Sequence, residues 1–411
     1  MNDDLPTLRL KPGREGSVAR RHPWIFSGAV ANEPQGASPG DLVCVVSASG
    51  ERLALAFWSP SSQIRARILS FDPGESRVGS FDWIAAKIGG AWARRATVWN
   101  RASHNAVRVV HGEADGMPGL VIDRYAGTLC AQILSCGFER RRTDIATALL
   151  DLMPDVSVVW ERSEGKARAR EGLPDRCGLL AERPGCGGDR PDTVLVNLNG
   201  IVSAVNLGTG QKTGSYLDQA GNHARVGSFA KSLDVLDAFC YDGGFALACL
   251  KAGAASVTAL DASSCALEAF RANLERNGLE PGRTCGDVEC IEGDAFDTLR
   301  RFRDSRRSFD LVVLDPPKLA DAKVKVEKAC RAYKDLNRLA FKLLRPGGLL
   351  ATFSCSGAVD PALFATVVGE ASVEAGRTAR VIDRFNQPPD HPVSLTCPEG
   401  LYLKGLLCQV D

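Results

Sequence analysis

No run in this sequence approaches the roughly 18 apolar residues of a membrane-spanning helix. The opening stretch MNDDLPTLRLKPGRE has no apolar centre, so no secretory signal is expected there. Cys-x-x-Cys pairs are also missing although the 411 residues include 14 cysteines, which speaks against a zinc site and against a secreted disulfide framework. The expectation is a cytoplasmic protein with reduced thiols, no membrane and no metal. Large net charge is lacking too: at +1, any contact with a polyanion must come from local clustering. Three basic clusters exist, at Lys11, Arg14, Arg20, Arg21 and His22, at Arg140, Arg141 and Arg142, and at Arg300, Arg301, Arg303, Arg306 and Arg307. Each alone reads most simply as a solvated face; together they permit RNA binding.

What is present divides the chain in three. Residues 1–75 carry short strand patterns (DLVCVVSASG, LALAFW, IRARILSF) broken by Gly, Pro and Ser, which suggests a small β-rich module. FDPGESRVGS, residues 71–80, reads as a linker, and residues 76–190 mix strands with helical stretches in a middle α+β module. LAERPGCGGDRPD marks the next boundary, and residues 191–411 change character. There SLDVLDAF, SVTALDA, FDLVVLDPP and GLLATFSC are nearly continuous apolar strands, with amphipathic helices such as ALEAFRANLERNG among them. That alternation predicts a doubly wound, Rossmann-like α/β domain.

Ligands of such sheets lie beyond the carboxyl ends of the strands. The residues there are Asp237, Phe239, Tyr241, Gly243, Gly244 and Phe245 in LDAFCYDGGFA, then Asp261, Asp294 with Ala295, and Asp315. The glycines would let the backbone approach a ligand, and Asp261 is spaced to hold ribose hydroxyls. Neither G-x-G-x-x-G nor a Walker A loop occurs, so a nucleoside without a pyrophosphate is expected, S-adenosylmethionine being the common one. Taken singly, these acids could simply cap helices.

Two further features carry chemistry. Asp315 is fixed by Pro316 and Pro317 and followed by Lys318; Cys355 stands at a strand exit in Ser354-Cys355-Ser356-Gly357. Most other cysteines lie in apolar runs and look like core residues. Cytosine C5 is a poor nucleophile unless a thiolate first adds to C6 and an acid relieves charge at N3. An activated cysteine and an acid at the ends of consecutive strands meet that need. Lys318, which does not stack as an aromatic would, counts against methylation of an exocyclic amine.

The combination LDAFCYDGGFA, LDA, GDAF, VVLDPPK, ACRAYKDLNRLAFKLLRPGG, TFSCSG, DHPV and PEGLYLKG resembles the ribosomal RNA large subunit methyltransferase I family. GQKTGSYLDQ, HGEADGMPGLVIDRY and RRHPWIFSGAV extend the likeness over essentially the whole chain. The resemblance implies an N-terminal PUA domain, a middle domain and a methyltransferase domain that makes 5-methylcytosine in 23S rRNA, leaving S-adenosylhomocysteine. It implies Cys355 as nucleophile and Asp315 as acid. It also implies cofactor contacts from Asp261, Asp294, Ala295 and the loop from Phe239 to Phe245, with Lys212, Tyr216 and Gln219 closing over it. Arg20, Arg21 and His22 would meet the RNA, with Pro316, Pro317 and Lys318 near the target base; Trp24 reads as core. Lys318 stands where many RNA cytosine-C5 methyltransferases carry a second cysteine, so the base that removes the C5 proton has no candidate. Asp242 replaces the usual Thr or Ser, and Ser215 and Ala220 replace Tyr and Arg. The expected partner is rRNA or a large-subunit assembly intermediate, bound by a monomer or homodimer. Methylation of another RNA atom, such as guanine N7 or a tRNA pyrimidine, and a non-catalytic RNA-binding role are the competing readings.

Overall fold

The computed structural model describes residues 4–100, 102–185, 192–320 and 323–411, so the expected boundary at 190/191 lies outside the described residues. The chain forms two compact units, Met1–Val196 with Val205–Leu217 and Pro389–Gly400, and Asn197–Ala204 with Asp218–Pro388 and Leu401–Asp411.

In the first unit, a six-stranded sheet runs in the order Trp24–Phe26, Ile64–Ser70, Arg52–Trp58, Leu42–Val46, Thr7–Leu10, Val30–Asn32. A five-stranded sheet follows, from Arg176–Glu182 at one edge through Val158–Ser163, Thr128–Ile133 and Leu120–Tyr125 to Ala106–His111. Helices Phe81–Arg95 and Arg142–Leu152 pack against it. The stretch at 71–80 is not a loose linker. Val78 is buried in a core that joins Phe57 of the first sheet to Ile84, Leu120 and Phe138 of the second module, and Arg141 Nε donates to Gly79 O at 2.6 Å. The late segment is pinned here as well: Arg108 N donates to Asp390 Oδ2 (2.9 Å), and Arg95 Nη2 donates to Asp390 O (3.1 Å).

The second unit holds a seven-stranded sheet. Its strands are β1 (Asp234–Ala238), β2 (Ser256–Asp261), β3 (Asp287–Glu292), β4 (Phe309–Leu314), β5 (Leu344–Ser354), β6 (Ala379–Asn386) and β7 (Lys404–Val410), arranged in space β3-β2-β1-β4-β5-β7-β6. The first five are parallel, and β7 lies antiparallel between β5 and β6. The helices are α1 (Ala220–Gly227), α2 (Gly244–Lys251), α3 (Ser264–Arg276), α4 (Ala295–Asp304), α5 (Val326–Leu343) and α6 (Pro361–Glu374). One face of the sheet packs on Leu336, Phe341 and Phe364, the other on Val226, Phe245 and Phe270, as strands apolar on both sides require. Strand order reverses between β1 and β4, and that is where such a sheet leaves a crevice at its carboxyl edge.

Candidate active site

The loop leaving β1 is backbone-strained: Phe239 and Tyr241 have φ of 65° and 51°, and Gly243 has 90°. Non-glycine residues adopt the left-handed region at a cost that surrounding contacts must hold, a pattern concentrated at functional sites. The two glycines answer to packing more than to ligand approach. A methyl group at Gly243 would overlap the Phe270 ring of α3, and one at Gly244 the His223 ring of α1. Phe245 also differs from expectation. Its ring is buried 4.4 Å from the His223 centroid and 5.1 Å from that of Phe353, so its side chain belongs to the core.

Asp237 is fully buried at the end of β1, where Oδ2 accepts the Ala246 N–H at 2.9 Å. Its Oδ1 has no hydrogen-bond partner among the described residues. Burial pushes its carboxyl up, and Asp315, Asp261 and Asp242 push it further. Asp261 accepts the Tyr241 and Ser263 N–H groups, both at 2.9 Å, and so ties the β1 loop to the β2 turn. Asp242 is pushed up to about 6 by burial. Four carboxylates thus share one end of the crevice, and an orphaned oxygen sits among them. This donor set suits a ligand bearing cationic sulfonium and ammonium groups and ribose hydroxyls. Asp294 is exposed and caps α4 by accepting the Asp297 N–H at 3.0 Å, the bland alternative for that acid, while Ala295 beside it is buried.

Asp315 and Cys355 follow neighbouring parallel strands whose last paired residues are Leu314 and Thr352. Both are half-buried; Pro316 is buried, and Pro317 and Lys318 are exposed. Asp315 Oδ2 accepts from Gln219 Nε2 at 3.0 Å. Gln219 Oε1 accepts in turn from Asn222 Nδ2 (2.6 Å), which also donates to Asn386 O (3.2 Å). Gln219, expected over a cofactor, is thus hydrogen-bonded between Asp315 and Asn222. The two serines flanking Cys355 are fully buried against Tyr333 of α5. Ser354 Oγ lies 2.9 Å and Ser356 Oγ 3.0 Å from the Tyr333 hydroxyl, and Ser356 Oγ also accepts the Ala320 N–H at 3.1 Å. Burial, then Cys355 and Asp315, hold the Tyr333 phenol above its ordinary value, which puts both residues within its electrostatic reach. Tyr333, Asn222 and Lys404 were not singled out from sequence. The signal for Lys404 was there, a lysine inside the apolar run LYLKGLL.

Lys212 and Tyr216 belong to the first unit, where the lysine Nζ lies 4.4 Å from the tyrosine ring centroid. Of the basic clusters, Arg140, Arg142, Arg300, Arg303 and Arg307 are matched to Asp41, Glu161, Asp297 and Asp335, Asp304, and Glu289 respectively. Arg141 lies over the Phe57 ring, 4.2 Å from its centroid. Arg20 and Arg21 remain exposed, with no carboxylate in ion-pair range among the described residues. His22 is half-buried, its Nδ1 accepting the Trp24 N–H and its Nε2 3.2 Å from Glu399. Cys397 brings a third potential metal ligand within 4.8 Å of these two. However, the Trp24 contact places the neutral ring's proton on Nε2, and burial with Glu113 and Glu399 lifts the Cys397 thiol to about 12. The trio is a hydrogen-bonded corner rather than a set of lone pairs.

A family model for S-adenosylmethionine-dependent methyltransferases matches residues 176–407, and one for PUA-like domains matches residues 8–71. Ribosomal RNA large subunit methyltransferase I of Shewanella amazonensis is 43% identical over 404 residues, 98% of this chain and 99% of that protein. The Klebsiella pneumoniae protein of the same name is 41% identical over 411 residues, all of both chains. The chain belongs to the ribosomal RNA large subunit methyltransferase I family. Its fold recurs in a crystal structure of a protein, assigned as a methyltransferase by its description alone, complexed with S-adenosylhomocysteine, at 19% identity and TM-score 0.84 over 98% of this chain and all of that one. The large subunit methyltransferase I assignment makes it an S-adenosylmethionine-dependent methyltransferase with an N-terminal PUA-like domain and a Rossmann-like catalytic domain. Among the described residues, no helix is long and apolar enough to cross a membrane.

Proposed function

We propose that this methyltransferase forms 5-methylcytosine in 23S rRNA through a covalent adduct on Cys355. The observation that carries the reading is the pairing of Asp315 and Cys355 at the ends of adjacent parallel strands, with one buried tyrosine, Tyr333, sensing both. The name shared by the full-length relatives supports rRNA of the large subunit as substrate.

Asp237, Asp242 and Asp261, with the strained loop from Phe239 to Gly244, are proposed to hold the cofactor, and Asp294 with Ala295 to border its base. When bound, S-adenosylmethionine supplies an electrophilic methyl group on its sulfonium. Cys355 Sγ forms a bond to C6 of the cytosine, and the displaced C5=C6 π pair makes C5 electron-rich while Asp315 hydrogen-bonds or protonates N3. Gln219 holds the Asp315 carboxyl in place for that contact. Once C5 carries its methyl, loss of the C5 proton returns an electron pair to the ring, the S–C6 bond breaks and the thiolate is regenerated.

The test labels rRNA from cells lacking the enzyme with tritiated S-adenosylmethionine, using wild type and Cys355→Ala, and identifies the labelled base by digestion and mass spectrometry. Label on cytosine C5 that is lost with Cys355→Ala, by about 10³-fold or more, is the expected result. Label on another atom that survives the substitution overturns it.

A further inference from the structure

Lys404 is the first residue of β7 and sits directly opposite Ser354 in the antiparallel pairing with β5. It is 3% exposed in a strand whose next four residues, Gly405 to Cys408, are buried and uncharged, an unusual place for an ammonium. Among the described residues no carboxylate lies within ion-pair distance of its Nζ. Instead Nζ donates to Ser356 O and Val359 O, both at 2.6 Å, and so clamps the turn that begins at Cys355. Two carbonyls replace part of a buried cation's hydration but do not neutralise it. The charged and titratable groups that face Lys404 are Cys355 from the end of β5, Asp360 from the N-cap of α6 and Lys318 from the turn after β4. Burial pushes the Lys404 ammonium down to about 8 and Lys318 also opposes the charge; Cys355 and Asp360 favour it, and Asp360 is exposed and already accepts the Leu363 N–H at 2.8 Å. A thiolate at Cys355 is thus the anion that this buried lysine lacks.

We infer that Lys404 is a positioning residue for the cysteine: its ammonium fixes the Cys355 turn and shifts the thiol toward the thiolate. The role rests on the reading of Cys355 as nucleophile, which it deepens. Coulombic coupling is reciprocal, so an ammonium whose proton is held more tightly by a nearby thiolate also makes that thiolate easier to form.

Alkylation by iodoacetamide isolates this effect, because it consumes the thiolate and needs neither RNA nor cofactor. The rate at Cys355 would be followed by peptide mass spectrometry across pH, with exposed Cys265 as internal reference. In wild type the Cys355 midpoint should fall below that of Cys265. Lys404→Met should raise it by about one pH unit, slowing alkylation at pH 7 about tenfold, whereas Lys404→Arg, which keeps the charge, should stay near wild type. A Lys404→Met midpoint equal to wild type overturns the proposal. Should that variant fail to fold, the wild-type protein still decides: a Cys355 midpoint at or above that of Cys265 overturns it. A lowered midpoint in an enzyme that leaves cytosine unlabelled would sustain the lysine–thiolate pair and reject the C5 chemistry instead.

Discussion

Asp242 follows Tyr241 in the strained loop above β1, and burial lifts its carboxyl from 3.8 to about 6. A raised carboxyl pKa means that the folded protein binds more protons than the unfolded chain between those values, so the cost of the half-buried charge builds up as pH rises from about 4 to about 6 and is complete above about 6. Asp242→Asn should therefore stabilise the protein at pH 8 by about 1–2 kcal/mol. The gain should shrink as pH falls through about 6 and vanish below about 4, where both states are protonated. Urea denaturation of both proteins across that range checks it; a gain independent of pH would mean that burial of the charge is not its source. A residue that weakens the fold at neutral pH fits a role toward a cationic ligand group, which the proposed cofactor contact would supply.

At the scale of elements, the junction of β1 and α2 depends on two positions that tolerate no side chain. Gly244→Ala drives a methyl group into the half-buried ring of His223 and should cost about 1–3 kcal/mol. A thermal melt measures this, and an unshifted melting temperature would show that α1 can move aside freely. β1, β2, β4 and β5 were legible because each is an apolar run ending in an acid or in the Ser354-Cys355-Ser356 exit, both local patterns, whereas β3, DVECIE, carries no such run. β6, with the sequence ARVIDRFN, was not marked because an edge strand alternates charge with apolar residues and carries no continuous run. The Gln219–Asn222–Asn386 relay was illegible for a different reason: Asn222 and Asn386 are 164 residues apart and meet only after the sheet has formed. Lys404 was quoted within a motif yet given no role: its apolar flanks in LYLKGLL point to burial, but the carbonyls of Ser356 and Val359 that it holds lie 48 and 45 residues away.

Across the whole molecule, folding sorts three basic clusters that looked alike in sequence. Ion pairs and packing absorb Arg140, Arg141, Arg142, Arg300, Arg303 and Arg307, whereas Arg20 and Arg21 on the PUA-like domain, like Arg301 and Arg306, stay exposed with no carboxylate partner among the described residues. Arg20→Glu together with Arg21→Glu should weaken rRNA binding about tenfold or more at low salt, with a shallower dependence of affinity on salt. The same reversal at Arg300 and Arg303 should do much less to binding. A filter-binding series in salt distinguishes the two, and equal losses would make the proposed RNA face wrong.

The chain passes from one compact unit to the other five times, at 196/197, 204/205, 217/218, 388/389 and 400/401. Neither unit is a continuous stretch of polypeptide. During synthesis the N-terminal unit cannot be completed until residues 389–400 leave the ribosome, and by then almost all of the catalytic sheet has emerged too. The two units are therefore completed together rather than one after the other, so that ending the chain before residue 389 would leave both unfinished.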